Sequence, residues 1–254
     1  MTVSDTVVDV SQDWALACHV QQRFMHGLGR NTGSVDYSGY CCQVRALGGD
    51  CCDFLPLTED QLTLVVGDAS GKGVAAALMM ASIQASLRTA ALFTGENLAA
   101  LHKIVNMQAY ASSLAERYAT VFYGVFDKPT RVLRYVNAGH NAPIVLRSDG
   151  SVDCLEPGGA PIGMFPDSNY RESRLSLHSG DLVIAYTDGV VEATNPEGEE
   201  WGVQGLLQAA NAWKAQCGES ADSDHLVRFL FDSMDSFSEG SQTDDATVAV
   251  LRIL

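Results

Sequence analysis

The stretch Gln61-Leu62-Thr63-Leu64-Val65-Val66-Gly67-Asp68, running on into Ala69-Ser70-Gly71-Lys72-Gly73, sets the reading of this chain. Leu62, Leu64 and Val66 alternate with Thr63 and Val65, the two-residue period of a strand. Asp68 continues the parity of Leu62, Leu64 and Val66, so a carboxylate points the way core residues point. That is costly unless the group is paired or bound to a cation. The arrangement recurs: Asp188 ends the run Leu182, Ile184, Tyr186; Asp244 shares the parity of Ala246, Val248 and Val250; Asp50 follows Gly48-Gly49. Glycine adjoins Asp50, Asp68 and Asp188 and permits tight turns and close backbone approach. Several carboxylates with room for water describe a site for a hard cation. Two cations sharing a carboxylate can activate a bridging water and clamp a phosphoryl group during in-line displacement. A single Asp-Gly is ordinarily a turn; four such sites in one chain weaken that reading, although parity alone does not make them converge.

Outward from this stretch, the pattern predicts a helix from Asp13, with Leu16, Val20, Phe24 and Leu28 on one face and an end at Gly27, Gly29 and the cluster at 31–34. It reads as an arm ahead of the main domain. A strand is expected over 38–46, turned by Gly48-Gly49, then a long helix over 74–93 and a second over 96–114. Strands follow at 119–127, 131–138 and 142–147, with a hairpin turn at Lys128–Arg131 signalled by Pro129. Weaker strands at 152–156 and 172–177, a strongly apolar strand at 181–187, helices at 202–215 and 223–237 and a last strand at 246–253 complete the reading. Hairpin-joined strands with helices in consecutive pairs indicate an α+β fold with antiparallel sheets rather than a doubly wound one. Within 74–93 Arg88 is the only charge, but Ser82, Ser86 and Thr89 draw a polar stripe. A largely buried helix is expected there, not a membrane span.

The 254 residues are 46% apolar and carry a net charge of −15, which allows a sizeable core and argues against a nucleic-acid partner. Seven cysteines without framework spacing, and no secretory leader, fit a reducing cytoplasm. Several local readings compete. Gly67–Gly73 lacks the spacer and the Ser/Thr after Lys72 of a nucleotide-binding phosphate loop, and Ser70 is expected to cap the following helix. Cys41-Cys42 and Cys51-Cys52 lack zinc-site spacing, and neighbours in a strand face opposite ways. His140, in Asn137-Ala138-Gly139-His140-Asn141, is either a general acid or a residue that holds a turn.

At these residues the chain resembles the metal-dependent protein phosphatase family (PPM, type 2C), in its bacterial SpoIIE/RsbU-like branch. The matching stretches are Gly48–Phe54, Val66–Met79, Asn137–Pro143, Tyr186–Ala193 and Thr243–Thr247, in family order over roughly residues 36–254. The arm, with Gln21-Gln22, looks like the helix that leads into this domain in relatives. The resemblance implies a four-layer α-β-β-α sandwich with two central, mainly antiparallel sheets and metals at one edge. It divides the chain into a helical arm, 1–35, and a phosphatase domain, 36–254. It implies that Asp68 bridges two Mn²⁺ or Mg²⁺ ions, that Asp50 and the backbone carbonyl of Ala69 complete one ion's protein ligands, and that Asp188 and Asp244 complete the other's. A metal-bridging water would attack phosphorus directly. Asp53 and Asp245 are expected just behind the ligands. Two departures stand out. Cys51-Cys52 replace the usual aromatic or aliphatic pair, and Ser70 stands where the eukaryotic-type branch carries a histidine. The phosphate-gripping Arg of that branch has no evident counterpart.

The expectation is a cytoplasmic phosphatase acting on phosphoserine or phosphothreonine of a signalling protein, with an anti-sigma-factor antagonist (STAS-type) or similar partner-switching component as substrate. No nucleic acid or membrane is expected as a partner; the arm is a candidate homodimer element. Two alternatives are a non-catalytic partner-binding regulator on the same fold, which would be expected to lose its carboxylates first, and a small-molecule phosphomonoesterase.

Overall fold

The computed structural model describes residues 10–24, 30–93, 97–113, 116–217 and 221–254. The alternating stretch becomes β4 (Gln61–Ala69), in the interior of a sheet with β3 (Asp50–Pro56), β5 (Ala119–Asp127), β6 (Val132–Ala138) and β9 (Ser173–Ser176), in the order β3-β4-β5-β6-β9. A second sheet runs β1 (Arg30–Asn31), β2 (Val35–Cys42), β11 (Ala246–Ile253), β10 (Leu182–Tyr186), β7 (Ile144–Leu146) and β8 (Val152–Cys154). Every strand pairing is antiparallel. Helices α2 (Val74–Phe93) and α3 (Leu98–Ser112) cover the first sheet, and α5 (Gly202–Cys217) and α6 (Ser223–Ser238) cover the second. The four layers are those expected.

Side-chain alternation sorts the residues into three apolar layers. Leu62, Leu64 and Val66 face Val183, Ala249 and Leu251 between the sheets, while Val65 faces Ile83, Leu87 and Leu101 under α2 and α3. Ile184, Val248 and Val250 face Leu206, Trp213 and Leu230 under α5 and α6. Burying each such side chain contributes about 2 kcal/mol. Cys51 and Cys52 fall into different layers, as neighbours in a strand must, and all seven cysteines are free. The hairpin at Lys128–Arg131 is present, with Thr130 donating to Asp127 from both its N–H and its hydroxyl.

Among the described helices α2 alone is long and apolar enough to cross a membrane, by length and composition. In place it packs on β3, β4 and α3, with Met80, Ile83 and Leu87 buried and Ser82 and Thr89 outward.

Cys51-Cys52 read in sequence as strand neighbours without bounds for their strand, which runs over Asp50–Pro56. Two local expectations are corrected. Ser70 does not cap α2: its hydroxyl accepts the Tyr118 N–H at 3.0 Å, fastening the loop to the start of β5. In α1 (Val10–Phe24) the expected apolar face, Leu16, Val20 and Phe24, is exposed, whereas Gln21 is buried. Gln21 donates to the Gly48 carbonyl at 2.7 Å and accepts the Gly48 N–H at 3.2 Å. Gln84 of α2 holds the other end of the arm through the Phe24 carbonyl at 2.8 Å. Gly27, Leu28 and Gly29 lie outside the described residues.

Candidate metal centre

In the β3–β4 ladder Asp50 stands directly opposite Asp68. Asp50 is 1% exposed, and its Oδ2 accepts hydroxyl bonds from Thr187 at 2.8 Å and Thr247 at 2.7 Å. Thr187 follows β10 and Thr247 stands near the start of β11, two interior strands, so Asp50 ties β3 of the first sheet to the second. Burial, and then the charge of Asp68, raise its pKa well above the carboxylate range, against the pull of the two hydroxyls.

Asp68 is pushed up to about 7, first by burial and then by the charges of Asp188, Asp244 and Asp245, while a hydrogen bond with Asp50 opposes the rise. The four carboxylates therefore feel one another, although they come from different elements. Asp188 is the first residue of a helical turn, α4 (Asp188–Val191), with its Oδ1 accepting the Gly189 N–H at 2.8 Å. Burial, and to a lesser extent Asp244, raise its pKa. Asp244 lies in the bend before β11; its Oδ1 accepts the Asp245 N–H at 3.0 Å and its Oδ2 meets Lys72 Nζ at 2.7 Å.

The parity argument for Asp188 and Asp244 does not hold. Tyr186 and Ala246 face α5 and α6, and the strands stop short of both aspartates. Backbone turns after β10 and before β11 swing the carboxylates toward Asp68. Two glycines make the approach possible. A Cβ on Gly189 would lie 2.0 Å from the Asp245 carbonyl, and one on Gly49 would lie 2.9 Å from the Ala69 carbonyl. The Ala69 N–H in turn donates to the Gly49 carbonyl at 3.1 Å, seating the expected backbone ligand against the Asp50 turn.

Asp245 lies just behind this cluster. Its oxygens accept the Val44 and Gly49 N–H groups, each at 2.9 Å. Asp53 is placed elsewhere: on the opposite face of β3, accepting from Arg88 at 2.7 Å and Gln84 at 3.0 Å. It is a buried tie between β3 and α2. His140 is 2% exposed and held by Asn137, whose side chain accepts the His140 N–H at 2.8 Å and donates to the His140 carbonyl at 3.0 Å. Its ring bonds Thr120 at 2.8 Å, and burial holds its pKa down to about 4. Of its two readings, the geometry carries the turn-holding one.

Four carboxylates and a carbonyl make a donor set that suits Mn²⁺ or Mg²⁺. Among the described residues no group of three Asp, Glu, His or Cys side chains is arranged to hold an ion as it stands. Asp50 is turned onto Thr187 and Thr247, and Asp244 onto Lys72. The donors fit the ions in chemistry. One neighbour escaped sequence reasoning altogether: Arg117, whose Nη1 donates to the Ser70 carbonyl at 2.7 Å. It sits in no motif, and only the fold places it beside the loop.

The family model described as Stage II sporulation protein E (SpoIIE) matches residues 58–254. Protein IcfG of Synechocystis sp. PCC 6803 is 31% identical over 198 residues, covering 66% of this chain and 31% of that protein. Phosphoserine phosphatase RsbU of Bacillus subtilis is 24% identical over 250 residues, covering 96% of this chain and 71% of RsbU. The solved SiaA-PP2C domain of Pseudomonas aeruginosa superposes with a TM-score of 0.79 at 17% identity, covering 99% of this chain and all of that one.

Proposed function

The chain belongs to the SpoIIE family, and on that premise we propose that it is a metal-dependent phosphatase acting on phosphoserine or phosphothreonine of a signalling protein. The observation that carries this is Asp68 at the focus of Asp188, Asp244 and Asp245 charges, directly opposite Asp50. Such a cluster is held apart by its own repulsion unless cations offset it. Asp50, Asp68, the Ala69 carbonyl, Asp188 and Asp244 would hold two Mn²⁺ or Mg²⁺ ions. When bound, these supply a nucleophilic water at neutral pH and neutralise charge on the phosphoryl group. The chain's own part is orientation. Thr187 and Thr247 aim Asp50, Asp245 fastens the Gly49 turn, and Lys72 offsets part of the charge on Asp244.

The likeness to a phosphoserine phosphatase over 96% of the chain supports phosphoserine as the group attacked, and we read a STAS-type partner-switching protein as the class that carries it. The reading places the enzyme in the cytoplasm, treats 1–35 as an arm on a domain of 36–254, and makes the exposed Trp14, Leu16 and Val20 of α1 a surface for a second copy. The test is release of phosphate from phosphoserine proteins with and without Mn²⁺. Metal-dependent release is expected; undiminished turnover in excess chelator, with metal removal verified, rejects the mechanism.

A further inference from the structure

We propose that a cavity at the far end of β10 and β11 binds a small organic anion, its charged group held by Lys214 and its apolar body laid on Leu182 and Trp213. The cavity has a volume of about 420 Å³, and its lining also includes Arg252, Ser148 and Ser179. It opens where β10 begins and β11 ends. The carboxylate cluster lies beyond the other ends of the same strands, six residue steps along β10 from Leu182 to Asp188, or about 20 Å. The volume falls in the range of small-molecule sites, about 300–1,000 Å³. Leu182 and Trp213 belong to the apolar layer under α5 and α6, so the floor of the cavity is core, while Ser148 and Ser179 are exposed.

Lys214 Nζ donates to the Arg147 carbonyl at 2.8 Å, one of the three hydrogen bonds an ammonium can give. Among the described residues no carboxylate forms an ion pair with it. Asp181, the buried carboxylate nearby, is committed elsewhere. It is 1% exposed, meets Arg147 at 2.7 Å, and accepts the Ser148 and His178 N–H groups at 3.0 and 2.9 Å. Burial pushes the Lys214 pKa down, and the charges of Asp181 and Asp149 do not make good the loss. A partly buried ammonium short of counter-charge is stabilised by an anion entering beside it. Arg252 adds a second cation, already fixed in place: its guanidinium lies over the Trp213 ring, 5.8 Å from the centroid, and donates to the Ala221 carbonyl. Trp213 is anchored in turn, its Nε1 donating to His225 Nδ1 at 2.9 Å. An immobile indole beside two cations suits a ring or short apolar chain that carries a carboxylate, sulfonate or phosphate.

The test uses the full chain in excess chelator, so that no ion at the carboxylate cluster draws the anion there. The probe is naphthalene-1-sulfonate, an aromatic anion with no phosphate ester to cleave, so the outcome does not depend on the phosphatase reading. Calorimetry should give a Kd of about 1 mM or tighter. Naphthalene-1-sulfonamide, the same body without the charge, and inorganic sulfate, the charge without the body, should each bind at least about fivefold more weakly. Lys214→Gln should weaken the sulfonate about fivefold. Ser179→Phe, at an exposed position of the lining, should block the cavity and abolish binding. Lys103→Gln, exposed on α3, is the charge control and should match the wild type. No binding by the wild type, equal binding by wild type and Lys214→Gln, or a sulfonamide as tight as the sulfonate would each overturn the inference. If Lys214→Gln melts well below the wild type, Ser179→Phe decides, and undiminished binding by that variant rejects the site.

Discussion

Replacing Gln21 by alanine tests whether the arm and the metal centre are one mechanical unit. Gln21 is the one buried side chain among the described residues of α1, and both its amide atoms bond the Gly48 peptide, at 2.7 and 3.2 Å. Truncation leaves a buried N–H and a buried carbonyl without partners. Each costs about 1–3 kcal/mol, and partial hydration from the exposed side of the arm brings the sum to about 3 kcal/mol. For a chain of this size that lowers Tm by roughly 6–12 °C. The loosened peptide is continuous with Gly49, which seats Asp245 and Ala69, and with Asp50. A coupling of about 1 kcal/mol between arm and centre would raise the Mn²⁺ midpoint about fivefold. Differential scanning fluorimetry across a Mn²⁺ series reads both quantities. His19→Ala, exposed on the same helix, is the control and should alter neither by much. A Gln21→Ala protein that melts lower but keeps its Mn²⁺ midpoint would refute the coupling; one that melts normally would refute the clamp.

Asp68→Asn should abolish turnover while the fold persists by circular dichroism, because an amide is a neutral and poorer metal ligand; near-normal rates with an unaltered metal count would remove Asp68 from the centre. His102 is fully buried, its Nδ1 bonded to the Leu98 carbonyl at 2.7 Å and its Nε2 without a partner among the described residues. Burial holds its pKa down to about 4 from 6.5, so between those values the unfolded chain binds the extra proton and stability falls on acidification, by about 3 kcal/mol in all. His140, held equally low, acts in both proteins, so urea unfolding at pH 7 and pH 4.5 should show the wild type losing about 2 kcal/mol more than His102→Leu; equal losses would contradict it. Cys51→Ser and Cys52→Ser each place a hydroxyl in an apolar layer and should cost about 1–2 kcal/mol without changing metal content; stoichiometric zinc lost with either substitution would reopen the zinc reading.

The layers of this fold were legible because their strands and helices carry clean periods: Leu62, Leu64 and Val66 point between the sheets as their spacing requires. The centre was legible in composition but not in geometry. Parity applies at Asp68 because β4 runs through it. It misled at Asp188 and Asp244, which lie beyond the ends of β10 and β11, where period-2 reasoning no longer applies. Asp53 looked like a companion of Asp50 by proximity, yet three steps along a strand reverse the face. Ser70 was assigned to a cap because local sequence cannot reveal Tyr118, and Gln21 and Arg117 act through contacts 27 and 47 residues away. Such contacts leave no trace in a window of neighbouring residues.

The order of strands in the second sheet carries a consequence for how the protein is made. β11, the final strand in chain order, lies between β2 and β10, with Val248 opposite Tyr40 some two hundred residues earlier. During synthesis β2 and β10 therefore emerge with a gap between them, their inner edges unpaired until β11 arrives. Thr247 and Asp244 arrive with it, so Asp50 waits for its second hydroxyl and Asp68 for its last repelling neighbours. Pairings so distant in sequence form slowly, and the chain passes through a stage in which the first sheet can be complete while the second still exposes strand edges to any other chain nearby.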